Sequence, residues 1–407
     1  MKNKNLVPLL IFLIIFHSLP VFGQNDFLKA QISDADKLKV FNNLWEIVNR
    51  LYFDSTFNGN DWRKLRDIYQ PQTLKAKNKI ELKQILNKMV GELNTSHLEV
   101  SFEISLSGKT LKRILGENID YKQNTIPFGY GFETAKFDDQ TVVKKVEKNS
   151  PADQKGVKVG WIQKTCEFIP VTKEIADSIT YGETANCVFV TETEDNKVIS
   201  INQNLYLVPI SKTYRESKII DGSILYLKFT EFDKGLGSWV ERQISANSNA
   251  KTVIIDLRDN FGGLTDELRK SLSVFFPPKT AVGEFIERDL DEKKLIVGSE
   301  NYYKGNVIVL INGGSYSSAE IFAAAVQDLG RGKIAGQVSG GQVLNSLDKS
   351  LSNGYKLQIA LRDYKTIKGV RLEKKGVTPD RIIPFSIKDF RNRNDVVLAK
   401  VLEDLKY

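Results

Sequence analysis

Residues 307–330 read VIVLINGGSYSSAEIFAAAVQDLG. The β-branched, apolar run Val307 to Ile311 predicts a strand, and Asn312-Gly313-Gly314 predicts a tight turn. Beyond the turn, Ala319, Ile321, Phe322, Ala325, Val326 and Leu329 recur at helical spacing. Strand, turn and helix in that order put Ser317 where the helix begins. There the first backbone N–H groups have no partner inside the helix, and the dipole favours negative charge. A hydroxyl at such a corner can attack a carbonyl while the next N–H, that of Ser318, holds the oxyanion that forms. Ser317 and Glu320 also spell a capping box, Ser-x-x-Glu, which needs no chemistry. This stretch alone leaves both readings standing.

Outward from it, from about Ser223, strands alternate with helices. Ile224 to Phe229 and Thr252 to Leu257 read as strands, and Gly235 to Asn247 as a helix between them. The second strand runs into Arg258-Asp259-Asn260-Phe261-Gly262-Gly263, a turn whose glycines suit positive φ. Short strands are expected near Ile334 and over Tyr355 to Leu361, and an amphipathic helix after Asn394. The alternation predicts a layered α/β core.

A chain of 407 residues, 41% hydrophobic and 27% charged, has ample material for a core and suggests two or three domains. Its N-terminus differs from the rest. Lys2 and Lys4 precede the apolar run Leu6 to Phe16, which is too short to span a bilayer stably. Val21, Phe22 and Gly23 then offer a cleavage site before Gln24. Residues 1–23 read as a secretory signal peptide, with an uncleaved anchor as the competing reading. Export implies the periplasm or the extracellular space, and no other segment is long enough to cross a membrane. Removing the signal lowers the net charge from +8 to +6, 56 basic residues against 50 acidic. The charges are interspersed, which argues for solvated surface and against a nucleic-acid footprint. Cys166 and Cys187 are the two cysteines: in an exported chain they are either a disulfide or two buried thiols. With no Cys/His cluster there is little to hold zinc. Of the two histidines, His17 lies in the signal, so any Ser–His chemistry in the mature chain rests on His97.

From about Phe27 to Leu93 the pattern is helical. Phe41, Leu44, Trp45, Val48, Leu51 and Tyr52 share one face, and Leu82, Ile85, Leu86, Met89, Val90 and Leu93 another. Asn94-Thr95-Ser96-His97 follows, ahead of the strand-like Leu98 to Phe102. This sets His97 at a helix-to-strand corner, where a surface or structural histidine is also ordinary. Ser105 to Thr125 reads as a linker. The unit from Ile126 to Val208 resembles a PDZ domain in Gly129-Tyr130-Gly131-Phe132 and in Ser150-Pro151-Ala152 with Gly156. A short strand is expected over Val142 to Val146, a small helix from Ser150 to Gly156, then a strand from Val157 to Ile162. Gly160 is followed by Trp161 where such domains usually carry Gly-Asp. PDZ domains take an extended peptide as an added strand and hold its carboxylate on backbone N–H groups. A unit of that shape that only packs against its neighbour is the other reading.

The segments "ILYLKFTEF", "VIIDLRDNFGG", "VIVLINGGSYSSAEIFAAAVQDLGRGKIAGQ" and "KKGVTPDRIIP" resemble the core of the tail-specific (C-terminal processing) protease and tricorn serine peptidase family. The resemblance implies an N-terminal helical segment over 24–104, a PDZ-like β-rich domain over 126–208 and an α/β peptidase core over 209–407. It implies Ser317 as nucleophile, with the N–H groups of Gly262 and Ser318 as oxyanion donors. The tail-specific branch carries a catalytic lysine where this chain has Gln342, and an amide is no base. Asp328 then reads as a helix-end residue, and Lys333 falls in the wrong element. The tricorn branch has a Ser–His pair at the end of the helical segment and a glutamate shortly before Gly-Val-x-Pro-Asp. Ser96, His97 and Glu373 match it. The implied enzyme is an exported serine endopeptidase with no metal or cofactor, acting on peptides or proteins, their C-terminal tails included. A homo-oligomer stays open. A catalytically inactive PDZ-like peptide-binding scaffold and an esterase using the same serine are the alternatives.

Overall fold

The computed structural model describes residues 31–102, 124–125, 128–137, 140–170, 183–202, 204–205, 208–209, 214–288, 293–392 and 394–406. The expected signal peptide and nearly all of the expected linker lie outside them. The build is mixed α/β.

The first helices are α1 (Asp34–Leu51), α2 (Trp62–Lys75) and α3 (Lys79–Gly91). Each begins at a side-chain cap, Ser33, Asp61 and Asn78 in turn, whose oxygen accepts an N–H of the first turn. Their apolar faces, Val40, Phe41 and Leu44 with Leu82, Leu86 and Met89, meet in one core. That core continues onto strand β1 (Glu99–Phe102) and onto Leu357 and Ile359 further along the chain.

Two short pairs, β2 (Asn124–Thr125) with β10 (Val208–Pro209) and β3 (Phe128–Gly129) with β9 (Asn204–Leu205), bracket a five-stranded antiparallel sheet. Its order is that of the sequence: β4 (Phe132–Phe137), β5 (Gln140–Val146), β6 (Ile162–Pro170), β7 (Glu183–Val190) and β8 (Asn196–Asn202). A one-turn helix, α4 (Pro151–Gln154), follows β5. The strand expected over Val157 to Ile162 is instead a loop and turn. Gly160 has φ 88°, which no strand accommodates, and extended pairing starts only at Ile162. Cys166 and Cys187 lie directly opposite each other on β6 and β7 and form a disulfide.

The remaining chain forms two sheets. One has the order β11 (Arg215–Ile220), β12 (Ile224–Phe229), β13 (Thr252–Asp256), β16 (Asn306–Ile311), β17 (Lys333–Gly336) and β20 (Arg381–Ile382), parallel except for β11. Its strands are apolar on both faces because helices cover both. Leu225, Leu227, Val253, Ile255, Val307 and Val309 pack under α5 (Leu236–Ala246), α6 (Thr265–Ser273) and α7 (Ser318–Asp328). Ile224, Tyr226, Ile254 and Leu310 face the terminal α9 (Val396–Asp404). The other sheet joins β1, β14 (Thr280–Glu287), β15 (Lys293–Val297) and β18 (Asn345–Ser350) around the long β19 (Tyr355–Thr366). Thus β1 pairs with β19 across most of the chain, Val100 opposite Leu357. A short helix, α8 (Ile387–Asn392), reaches back to the five-stranded sheet, where Arg391 donates through Nε and Nη2 to the Gly160 carbonyl at 2.9 and 2.7 Å.

Candidate active site

Ser317 stands at the corner between β16 and α7, at the C-terminal edge of the parallel strands. Its φ of 53° and ψ of −118° lie outside the regions a residue with a side chain ordinarily adopts. The surroundings hold it there. The Tyr316 N–H donates to the Asn260 carbonyl at 2.9 Å, and the Ser317 N–H to the Gln342 carbonyl at 2.9 Å. The Ser315 hydroxyl donates to the Leu257 carbonyl at 2.7 Å.

Ser317 and Glu320 do form a capping box. Glu320 does more than cap. Its fully buried carboxylate accepts the N–H groups of Ser317 at 3.1 Å, Gly341 at 2.7 Å and Gln342 at 2.9 Å, and the Ser339 hydroxyl at 2.6 Å. Burial pushes its pKa above the usual carboxylate value, and these donors pull it back. One side chain therefore fixes the loop 339–342 against the Ser317 turn.

His97 sits between α3 and β1, itself at φ 57°. Its Nδ1 is 2.7 Å from the Ser96 hydroxyl. That hydroxyl donates to Glu373 Oε2 at 3.1 Å, and the Ser96 N–H donates to Oε1 at 2.8 Å. Glu373 is only 8% exposed, and the Val343 N–H also donates to it, at 3.2 Å. A carboxylate only accepts, so the Ser96 proton points at Glu373 and its lone pairs face the imidazole. His97 then carries its proton on Nδ1, which leaves Nε2 as a basic lone pair. Burial lowers the His97 pKa below 6.5, and the Glu373 charge partly opposes this.

The segment 341–343 lies between the two groups, bonding Ser317 through Gln342 and Glu373 through Val343. No hydrogen bond joins His97 to Ser317 among the described residues. Gln342 acts through its backbone while its side chain is exposed. Lys333 is level with Ile308 on the neighbouring strand, at the end of the sheet away from Ser317. Asp328 closes α7 and pairs with Lys368 at 3.5 Å. Among the described residues no group of three His, Cys, Asp or Glu side chains is arranged to hold a metal.

Gly262 lies against the Ser317 corner at φ 88°. A Cβ there would stand 2.6 Å from Ser317 Cβ and 3.0 Å from the Ser318 nitrogen. Its N–H donates to Asn260 Oδ1 at 2.9 Å, whereas the Ser318 N–H donates to nothing among the described residues. Asn260 is fully buried and also donates from Nδ2 to the Phe229 carbonyl at 2.8 Å. Sequence reading named neither Asn260 nor the wider role of Glu320. The asparagine was visible in the turn motif and the glutamate in the capping box, but their partners lie far along the chain. In the loop Gly129-Tyr130-Gly131-Phe132, the Gly131 carbonyl accepts the Glu147 N–H at 2.8 Å and the Ser150 hydroxyl at 3.1 Å. The Tyr130 carbonyl accepts the Ala152 N–H at 2.9 Å.

Residues 223–383 match peptidase family S41, and residues 33–91 match the tricorn protease C1 domain. Similar curated proteins include carboxyl-terminal-processing peptidase 2, chloroplastic, of Arabidopsis thaliana, 26% identical over 374 residues, 85% of this chain and 69% of that protein. The C-terminal processing peptidase, chloroplastic, of Tetradesmus obliquus is 24% identical over 390 residues, 87% of this chain and 78% of that one. Among solved structures, the photosystem II D1 C-terminal processing protease superposes with TM-score 0.54 at 20% identity, covering 86% of this chain and 94% of that one. Mature CPAF complexed with lactacystin gives 0.63 at 13%, covering 92% and 98%. These two share the fold. Together the matches define a serine-type peptidase, a hydrolase acting on protein substrates. Over residues 223–383 the chain thus carries a peptidase S41 domain, with a tricorn C1 domain ahead of it. Among the described residues no helix is long and apolar enough to cross a membrane.

Proposed function

We propose that this chain is an exported serine endopeptidase that forms an acyl-enzyme on Ser317, with His97 as general base. The chain of hydrogen bonds from Glu373 through Ser96 to His97 carries this reading. His97 Nε2 takes the Ser317 proton as the oxygen attacks the scissile carbonyl, and the imidazolium returns it to the leaving amine. Ser96 and Glu373 hold the ring and favour its charged form. Water then enters, activated by the same nitrogen, and releases the acid. The Ser318 N–H takes the oxyanion, joined by the Gly262 N–H once it turns from Asn260. The Ser317–His97 bond forms when substrate is bound, since catalytic hydrogen bonds are often long in the free enzyme.

The chain divides, in this reading, into the helical segment 24–104, a PDZ-like domain 126–208 and the peptidase core 209–407. The loop Gly129, Tyr130, Gly131 and Phe132 presents a peptide's C-terminal tail, in keeping with relatives named for carboxyl-terminal processing. The leader-like N-terminus and the Cys166–Cys187 disulfide support export, because disulfides persist in oxidising compartments. A second reading, an inactive peptide-binding scaffold, draws on Gln342 and on the missing Ser317–His97 bond. Intact mass after a fluorophosphonate probe separates the two. One adduct on Ser317, absent from Ser317→Ala and His97→Ala, is expected. An adduct that survives His97→Ala names another base, and none at all favours the scaffold.

A further inference from the structure

We propose that Phe261 and Tyr316 form a subsite that selects substrates bearing an aromatic side chain close to the scissile bond, a refinement that rests on the peptidase reading above. Phe261 is 56% exposed. It stacks on Tyr316 with ring centroids 6.5 Å apart and planes 14° from parallel. Tyr316 directly precedes Ser317 and Phe261 directly precedes Gly262, so each ring is one residue away from a group of the proposed site.

Both rings line a cavity of about 620 Å³ between the peptidase core and strands β4 and β5, with Phe385 and Phe390 on its wall. That volume holds a large side chain with its flanking main chain. Charge does not select the occupant. Lys144 lies 5.6 Å from the Phe261 ring centroid, but Glu133 at 3.5 Å and Asp259 at 3.6 Å neutralise it. The aromatic surface is what remains to discriminate. Across the cavity, Glu133, Thr134 and Ala135 belong to β4, the edge strand, whose outer side pairs with no strand among the described residues. A peptide added along that edge has its backbone satisfied while a ring reaches the stacked pair. Offset or edge-on ring contacts favour an aromatic over an aliphatic side chain of equal area by roughly threefold to tenfold.

The test uses the full chain with Ser317→Ala, immobilised and exposed to synthetic decapeptides varied at every position. Peptides with Phe, Tyr or Trp at one position should be retained roughly threefold to tenfold over leucine counterparts, and more strongly still over alanine ones. Adding Phe261→Ala should abolish that preference, and Phe261→Trp should keep it. Phe261→Leu reads the same loss if the alanine variant unfolds. Equal retention with and without the Phe261 ring, or no aromatic enrichment in the parent, overturns the proposal. Fluorophosphonate labelling of the unaltered protein is read separately. Its failure rejects the peptidase reading and leaves the retention result standing on its own.

Discussion

Replacing Glu320 with glutamine tests how Ser317 is held. The side chain keeps its shape, but one oxygen becomes an NH2 that faces two donors. Those are either Ser317 and Gln342 or Ser339 and Gly341, depending on which way the amide turns. Each buried donor left without an acceptor costs about 1–3 kcal/mol; because the Ser317 N–H keeps the Gln342 carbonyl, the gross loss is about 1–3 kcal/mol in the first orientation and about 2–6 kcal/mol in the second. Removing a buried charge returns part of this, as the raised pKa of Glu320 implies. The amide takes the less costly orientation, so a net loss of about 1–2 kcal/mol follows, against the 5–15 kcal/mol typical of a folded domain. The loop 339–342 also sets the carbonyl that holds the Ser317 N–H, and misplacing a reacting group by about 1 Å can cost about a hundredfold in rate. Urea denaturation should show the stability loss, and fluorophosphonate labelling should slow by at least about tenfold. Ser339→Ala removes one donor to Glu320 and leaves the Val377 N–H without its acceptor, so it should cost about 1–3 kcal/mol while leaving the other three bonds to Glu320 in place. A glutamine variant within about 0.5 kcal/mol of the parent and labelled at the same rate would refute the reasoning.

Five further outcomes are expected. Burial holds the His97 pKa below 6.5, so the acidic limb of the kcat/KM profile should fall below pH 6.5. Glu373→Gln removes the charge that favours the imidazolium and should move that limb lower still; an upward shift contradicts the assigned coupling. The same depressed pKa means the folded state binds fewer protons. This contribution to stability is therefore full above pH 6.5 and declines as pH falls from there toward the folded-state pKa, which a pH series of urea midpoints for the parent and His97→Ala would detect. Gly262→Ala places a methyl 2.6 Å from Ser317 Cβ at positive φ, so labelling should drop by at least about a hundredfold, and a normal rate would mean that the turn moves freely. Replacing Cys166 and Cys187 together with serine opens a loop of 21 residues and should destabilise the β4–β8 sheet by about 3 kcal/mol in chemical denaturation, with Ser317 labelling retained.

Local signals carried most of the core. The strand Ile224–Phe229 and the helix beginning beside Ser317 were legible because apolar spacing and turn residues fix them without reference to distant chain. Ser96, His97 and Glu373 were legible as a group only through resemblance, since nothing local says that a turn after α3 meets a turn before β20. The strands β14, β15 and β18 are not legible locally, because their pattern is mixed and their order comes from pairing, β14 and β18 with β19 and β15 with β14. The disulfide stayed open in the sequence: the two cysteines face each other only through the register of β6 and β7. The Asn260 bond to Gly262 is a matter of side-chain direction, which spacing does not encode.

The bond between Ser96 and Glu373 spans 277 residues. Ser317 lies between them in the chain, so the proposed site draws on an early, a late and a very late segment at once. On that reading a nascent chain holds its histidine, and later its serine, without the carboxylate that orients them. The proposed chemistry is then complete only when nearly the whole polypeptide has been made and has closed on itself.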